Sequence, residues 1–367
     1  MIYLLLISTS FILLYFIYPF WVILNSKDQP EDEKENAEIK QVSLIYLSQN
    51  GADFLENKIN FLFKELSVFQ QYELLVIDDN STDNSQEILN KFNKNIRVIL
   101  KSEQKGIPHS MNIGVKEAKF KYIVFCDQRQ YLSNDIIKPL VAPLKNKIVG
   151  AVSACISPLD NKRNFSILRA HENFIKLYEG KSGNLIGVYG PLYAIKKECY
   201  VEIPDYIILD DLYLTMKILR SHQVWFSKEC KIIEENSNIL YNYQRTKRYL
   251  KGLLQLIVEK DLINQLTKTQ ITMLFWHKYL RLFIPVILFI GYASLGFLSI
   301  GKVEHLIVFL LITVIGIISI QSCALKLRLG LIVYMQINLL YLCAISELFF
   351  IDYCYRKLIA KAINYKF

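Results

Sequence analysis

Three acidic clusters in this chain could do chemistry, and each follows an apolar run. The first is Leu75-Val76-Ile77-Asp78-Asp79-Asn80-Ser81-Thr82-Asp83. Three carboxylates in so short a stretch are costly unless they bind a ligand or cap a helix. Ser81 or Thr82 offers a cap for a helix from Asn84, and Asp83 suits the same role. Capping explains the Asp78-Asp79 pair less well. The second cluster is Ile123-Val124-Phe125-Cys126-Asp127-Gln128-Arg129-Gln130. Its single carboxylate could also cap a helix near Asn134. The third is Ile207-Ile208-Leu209-Asp210-Asp211. Paired acids opening a helix either complement its dipole or leave one carboxylate to take a proton. Asp210 fits the dipole role better, which leaves Asp211 for the proton. A basic group follows at Arg245, Lys247 and Arg248. A guanidinium fork matches phosphate oxygens, although a solvated basic helix face needs the same residues.

These clusters must be positioned by the elements around them. Val42 to Leu47 reads as a short buried strand, and Ala52 to Leu66 has helical periodicity. Leu74 to Ile77 is a strand, and Asn84 to Phe92 a helix. Ile96 to Leu100 is a strand, Pro108 to Ala118 a helix, and Tyr122 to Phe125 a strand. Such alternation predicts an α/β fold with a mostly parallel sheet and helices on both faces. Ligands in such sheets bind beyond the carboxyl ends of the strands, where the acids stand.

The rest of the chain points to a membrane. The 367 residues are 52% hydrophobic, high for a soluble protein. Residues 2–24 carry no charge, and a helix that long crosses a hydrocarbon core of roughly 30 Å. The chain opens MIYLLL without a basic start, and Phe20-Trp21 read as an interfacial anchor rather than a cleavage site. Leu282 to Ile300, Leu306 to Leu325 and Leu329 to Ser346 are three further apolar stretches. The expected order is an anchor at 1–25, a charged linker at 26–40, and a catalytic domain at 41–265. An interfacial amphipathic helix at 266–281, a membrane region at 282–352 and a basic tail at 353–367 complete it. Net charge is +9, with much of the surplus from Arg245 onward. Basic residues beside spans favour lipid headgroups and a cytosolic catalytic domain, the cell inner membrane being the expected site. Four full crossings would put the C-terminus opposite that domain, against the preference of Arg356, Lys357, Lys361 and Lys366. A nucleic-acid partner is not expected, since no recognition motif accompanies the charge. Seven dispersed cysteines read as free thiols in a reducing compartment, and no histidine pair predicts zinc.

The ordered motifs over about 41 to 260 resemble family 2 glycosyltransferases of the GT-A fold, such as cellulose, hyaluronan and poly-N-acetylglucosamine synthases. The family's D-D-x-S-x-D matches Asp78 to Asp83. Its strand followed by N-E appears as Tyr46-Leu47-Ser48-Gln49-Asn50, with Gly51 in place of Glu. Its G-x-x-x-A-x-N-x-G-x-x-x-A helix matches Gly106 to Ala118, keeping Asn112, Gly114 and Ala118 but carrying Ser110 for Ala. Lys147 to Ala154 resembles the V-G-a-V-s strand. The resemblance implies that Asp79 binds the nucleotide base, with Asp78 or Asp83 shaping the loop. The family's D-x-D, which binds Mg²⁺ or Mn²⁺ on the donor diphosphate, becomes Asp127-Gln128-Arg129. Two consequences stay open: Asp127 holds the metal alone, or Arg129 supplies positive charge directly. A hard cation suits both the carboxylate and phosphate oxygens.

The resemblance further places Gly187 to Ile195 along the acceptor site, where Gly190 would let backbone approach a sugar. Tyr189 and Tyr193 could stack on that sugar. The family's D-D or E-D pair carries the catalytic base onto Asp211. Its Q-x-x-R-W is recast around Arg245, Arg248 and Tyr249, which assigns Arg248 to the leaving diphosphate and Tyr249 to the acceptor. The implied function is inverting transfer from a nucleotide-sugar, first among them a UDP-sugar, to a lipid-linked or glycan acceptor. Transfer to polyprenyl phosphate, and a degraded family member serving as a membrane scaffold, are the alternatives.

Overall fold

A computed structural model describes residues 3, 10, 17–26, 38–92, 95–158, 167–234, 239–280, 283, 287, 290, 291 and 294. Most of the first C-terminal apolar stretch, the other two, the basic tail and most of the N-terminal anchor and linker lie outside these residues. Residues 17–25 are helical. Among the described residues, no helix is long and apolar enough to cross a membrane.

The chain divides into two compact units. The larger comprises Val22–Asn242 and Gln255–Met273. It opens with β1 (Gln41–Ser48), α1 (Ala52–Leu66), β2 (Gln71–Asp78), α2 (Ser85–Phe92), β3 (Arg97–Leu100), α3 (Gly106–Glu117) and β4 (Tyr122–Asp127). β5 (Tyr131–Leu132), α4 (Ile137–Val141), β6 (Val149–Pro158), α5 (Ile167–Lys181) and β7 (Leu192–Lys196) follow. α6 (Asp210–Ile218) and β8 (Gln223–Glu234) complete the sheet region. α7 (Ile239–Val258) contributes residues to both units.

The eight strands form one sheet in the order β3-β2-β1-β4-β7-β6-β8-β5. β3, β2, β1 and β4 run parallel, as the alternating pattern predicts. The sheet is mostly parallel, as expected, but β7 and β5 run against the other strands. β7 lies antiparallel between β4 and β6, and β5 is antiparallel to β8, so the sheet is mixed. The β-α-β rhythm stops after β4, and β7 enters from the other direction.

The central strands are buried on both faces. Val42, Ser43, Leu44, Ile45 and Tyr46 are all fully inaccessible in succession, which only a doubly covered strand allows. α3 lies close on β1 because Gly114 has no side chain. A methyl group there would sit 2.7 Å from Ile45 Cγ2. Gly114→Val should therefore destabilise the fold by about 1–3 kcal/mol, as overpacking does. The gain in helix propensity over glycine, under about 1 kcal/mol, is too small to offset it. Urea unfolding measures the difference, and an unchanged midpoint would mean that α3 shifts freely on β1.

The predicted helices and strands recur within two residues at most boundaries, but the caps differ. Ser81 does not cap α2. Asp83 does so instead, accepting the Ser85 N–H at 3.0 Å and the Ala52 N–H, at the start of α1, also at 3.0 Å. In the region expected as one interfacial helix, residues Lys268–Leu274 are α-helical and Phe275–Tyr279 form a π-turn.

Candidate active site

Three neighbouring parallel strands bring the first acids to one edge of the sheet. Ser48 at the end of β1 is in register with Asp78, and Leu47 with Asp127. The loops after β1 and β2 are then latched together. Asn50 and Asn80 both adopt left-handed backbone, which asparagine tolerates better than most residues. Asn50 N–H donates to Ser81 Oγ at 2.9 Å, and Thr82 N–H donates to Asn50 Oδ1 at 2.8 Å.

Every acid of the first cluster has a structural partner. Asp78 is fully buried and closes its own loop, accepting the Ser81 N–H at 3.1 Å and the Ser81 hydroxyl. Asp79 is also buried, paired with the buried Lys101 ammonium, which follows β3. It accepts the Lys105 N–H at 3.0 Å and the Gly106 N–H at 2.8 Å, anchoring the start of α3. Lys101 is braced in turn by Ser110 Oγ at 3.1 Å, so the serine standing at the family's alanine has a partner. Burial alone would raise the Asp79 carboxyl. The hydrogen bonds from Lys101, Lys105 and Gly106, with the Lys101 charge, outweigh it and hold the group below the usual carboxylate range. Neither Asp78 nor Asp79 caps the helix that follows the cluster; their backbone contacts are the Ser81 loop and the start of α3. Three of the roughly four acceptor positions of Asp79 are occupied within the protein.

Asp127 has a different environment. It is half-buried, and its backbone N–H donates to Pro191 O at 2.9 Å. Its Oδ1 accepts the Gln128 N–H at 2.8 Å. It does not cap the helix that follows. Glu65 of α1 does that, taking the N–H groups of Asp135, Ile136 and Ile137 at 2.7 to 3.2 Å. Along the loop, side chains alternate in burial. Gln128 is buried, while Arg129 is exposed.

The second and third clusters meet through the segment before β7. A methyl group at Gly190 would stand 3.2 Å from Asp211 Oδ2, so Gly190 backbone lies against the Asp211 carboxylate. Pro191, the next residue, holds Asp127. Asp211 lies in the first turn of α6, is half-buried, and accepts the Leu212 N–H on Oδ1 at 2.7 Å. Thr215 Oγ donates to Asp211 O at 2.6 Å and accepts the Val188 N–H at 3.2 Å. That serves as a second tie between α6 and this segment. Asp210 is buried beside Tyr193 and Tyr200. Burial pushes both phenols up, and the Asp210 charge adds to the effect.

Tyr189 does not stand ready to stack on a sugar. It is buried, its hydroxyl donates to Asn173 Oδ1 at 2.8 Å, and Lys176 Nζ lies 4.4 Å from its ring centroid. Tyr193 is likewise core, with its ring 5.0 Å from that of Phe125. Both correct the stacking expectation, since the rings are spent on internal packing. Arg248 and Tyr249 belong to the other unit, on α7, where Arg248 is exposed and Tyr249 half-buried.

Side-chain amides set several of these loops, and the sequence reading missed them. Asn112 donates to Ile203 O at 2.8 Å and accepts the Ile203 N–H at 3.0 Å. Gln255 donates to Tyr206 O at 2.7 Å and accepts the Ile208 N–H at 3.0 Å, just ahead of Asp210. Gln128 does the same to Gln49. Asn112 and Gln128 stood in recognised motifs, but neither with this role.

Among the described residues, no group of three histidine, cysteine or acidic side chains could hold a metal alone. Asp127 offers one carboxylate, whose Oδ1 accepts the Gln128 N–H. A Mg²⁺- or Mn²⁺-type ion that takes most of its ligands from phosphates and water fits such a donor set.

Comparisons with known proteins agree with this geometry. Residues 43–200 match the family model described as glycosyl transferase family 2. The poly(ribitol-phosphate) β-glucosyltransferase of Bacillus spizizenii is 30% identical over 101 residues, covering 26% of this chain and 16% of the relative. The glycosyltransferase GlyG of Streptococcus pneumoniae is 27% identical over 109 residues, covering 29% and 36%. The matches thus span well under two thirds of these relatives. The mannosyltransferase PcManGT of Pyrobaculum calidifontis, solved with GDP-Man and Mn²⁺, superposes with a TM-score of 0.73. At 18% identity over 93% of this chain and 98% of that one, the likeness concerns the fold. The motif order, the acids at the ends of β2 and β4 and the matched family model agree: this chain carries a family 2 glycosyltransferase domain of the GT-A-like fold.

Proposed function

We propose that the protein is an inverting glycosyltransferase that moves a sugar from a nucleotide-sugar to a lipid-linked or glycan acceptor at a membrane. The observation that carries this reading is the contact of Gly190 with Asp211, one residue from the carbonyl that holds Asp127. It puts a half-buried carboxylate beside backbone without a side chain, close to the strand end that bears the donor-site acid. Asp211 takes the proton of the attacking acceptor hydroxyl, and Gly190 leaves room for the acceptor. Asp127 and the exposed Arg129 face the donor diphosphate, and Asp127 is the ligand for Mg²⁺ or Mn²⁺. When bound, that cation supplies charge stabilisation for the departing diphosphate. Asp79 keeps one acceptor position for a nucleotide base, and Asp78 shapes the loop that holds it. Arg248 and Tyr249 are assigned to the leaving group and acceptor by their motif alone.

The membrane setting rests on the uncharged stretch at 2–24 and the three apolar stretches after Leu282. It implies membrane lipids as partners and a cytosolic catalytic domain on an inner membrane. The test is nucleotide release by the detergent-purified full chain over UDP- and GDP-sugars, with lipid and glycan extracts as acceptors. GDP-mannose belongs in the panel because PcManGT was solved with it. Release from one donor, stimulated by Mn²⁺ or Mg²⁺ and suppressed by a chelator, is expected. No release from any donor would overturn the reading, and release untouched by a chelator would shift the diphosphate's charge partner to Arg129.

A further inference from the structure

We propose that Gln128 is a positioning residue for the donor site, and that it acts as one unit with Gly51. The inference rests on the transfer reading above, which makes Asp127 and Arg129 donor-binding groups. Gln128 stands between them, yet its side chain turns the other way and is buried. Its Nε2 donates to Gln49 O at 2.9 Å, and its Oε1 accepts the Gln49 N–H at 3.0 Å. Ser48 Oγ donates to the same oxygen at 3.3 Å. The amide therefore bridges the end of β1 to the loop after β4 as an added strand would, satisfying both polar groups of one backbone residue.

The space for this bridge exists because residue 51 is glycine. A methyl group at Gly51 would meet Gln128 Oε1 at 2.4 Å and Cδ at 3.1 Å. Gly51 has ordinary backbone geometry, with φ at −116°, so no backbone requirement demands glycine there. What requires it is room for the glutamine amide. The loop has a second tether, since the buried Lys58 ammonium donates to Gln130 O. With Gln128 and Gln130 tied from below, Asp127 and Arg129 are left on the outer side. The Gln128 backbone N–H also holds Asp127 Oδ1, so the residue orients the carboxylate directly.

The consequence is a loop whose conformation is set before the donor arrives. Gln128→Ala removes the bridge without touching any group that contacts the donor. The expected result is a donor KM raised at least tenfold, with kcat changed less than threefold and a cooperative unfolding transition retained. The activating concentration of Mn²⁺ should rise with it. Gly51→Ala pushes the amide out of its seat and should show the same split. In the double variant the clash is gone, so its KM should match that of Gln128→Ala alone rather than the product of the two effects.

Equilibrium dialysis of the matching nucleoside diphosphate with Mn²⁺ gives a readout free of turnover, and weaker binding by Gln128→Ala is expected there too. Wild-type KM and binding in a folded Gln128→Ala protein would overturn the inference. So would multiplicative effects in the double variant, which would make the two residues independent. A wild type that releases no nucleotide from any donor would overturn the transfer reading itself, an outcome distinct from either.

Discussion

Asp211→Asn should lower the turnover of the proposed transfer by about 10²–10⁴-fold, the range that a positioned general base supplies. The exchange is nearly isosteric. Asparagine can still accept the Leu212 N–H through its carbonyl oxygen and still sits against Gly190. What it cannot do is take a proton from an acceptor hydroxyl. The loss should therefore fall on kcat, with donor KM near the wild-type value and thermal unfolding almost unchanged. The competing role for Asp211 is electrostatic, as one of two acids in the first turn of α6. That role is worth about 0.3–1 kcal/mol of helix stability and nothing in turnover. Nucleotide release and unfolding measured on the same preparation separate the two. Full activity with slightly lower stability would make Asp211 a helix-dipole residue and remove the base from the mechanism.

Asp79→Asn should be among the most destabilising single changes in the domain. It leaves Lys101, a buried ammonium, without its counter-ion, and breaking a buried pair from one side costs about 3–5 kcal/mol. An amide keeps only one acceptor oxygen, so its NH₂ faces either the Lys105 or the Gly106 N–H, and the anchor of α3 is weakened as well. Urea unfolding reads the loss. Lys101→Met relieves part of it in the double variant, because the unpaired charge is then gone. The pH dependence has a defined sign. The Asp79 pKa is lowered on folding, so its stabilising effect is complete above the unfolded value of about 3.9. It is lost as pH falls through the lowered folded value. The acid limb of the stability curve should therefore flatten in Asp79→Asn. A variant of normal stability with abolished nucleotide binding would return Asp79 to base recognition alone.

The acids that the sequence singled out were legible because their signal is local. An apolar run of β-forming residues that ends in Asp78 or Asp127 marks a strand end, and a parallel sheet gathers such ends at one edge. Helix starts were legible for the same reason, though not the identity of the cap. Ser81 and Asp83 are two residues apart and have the same capping chemistry, and only the packing of the β1 loop selects between them. The antiparallel entry of β7 was not legible, since its run Leu192–Lys196 is equally apolar in either direction.

Local pattern carried the family resemblance, the order of its motifs and the acids at the strand ends, because each depends on neighbouring residues. Tertiary structure decided what those acids do within the protein. Lys101 reaches Asp79 across 22 residues, and Gln128 reaches Gln49 across 79. Gly190 meets Asp211 although other elements lie between them in the chain. Such contacts follow from strand register and from space left by a missing side chain. Neither is written in local pattern, because both arise only when distant segments pack to a common density.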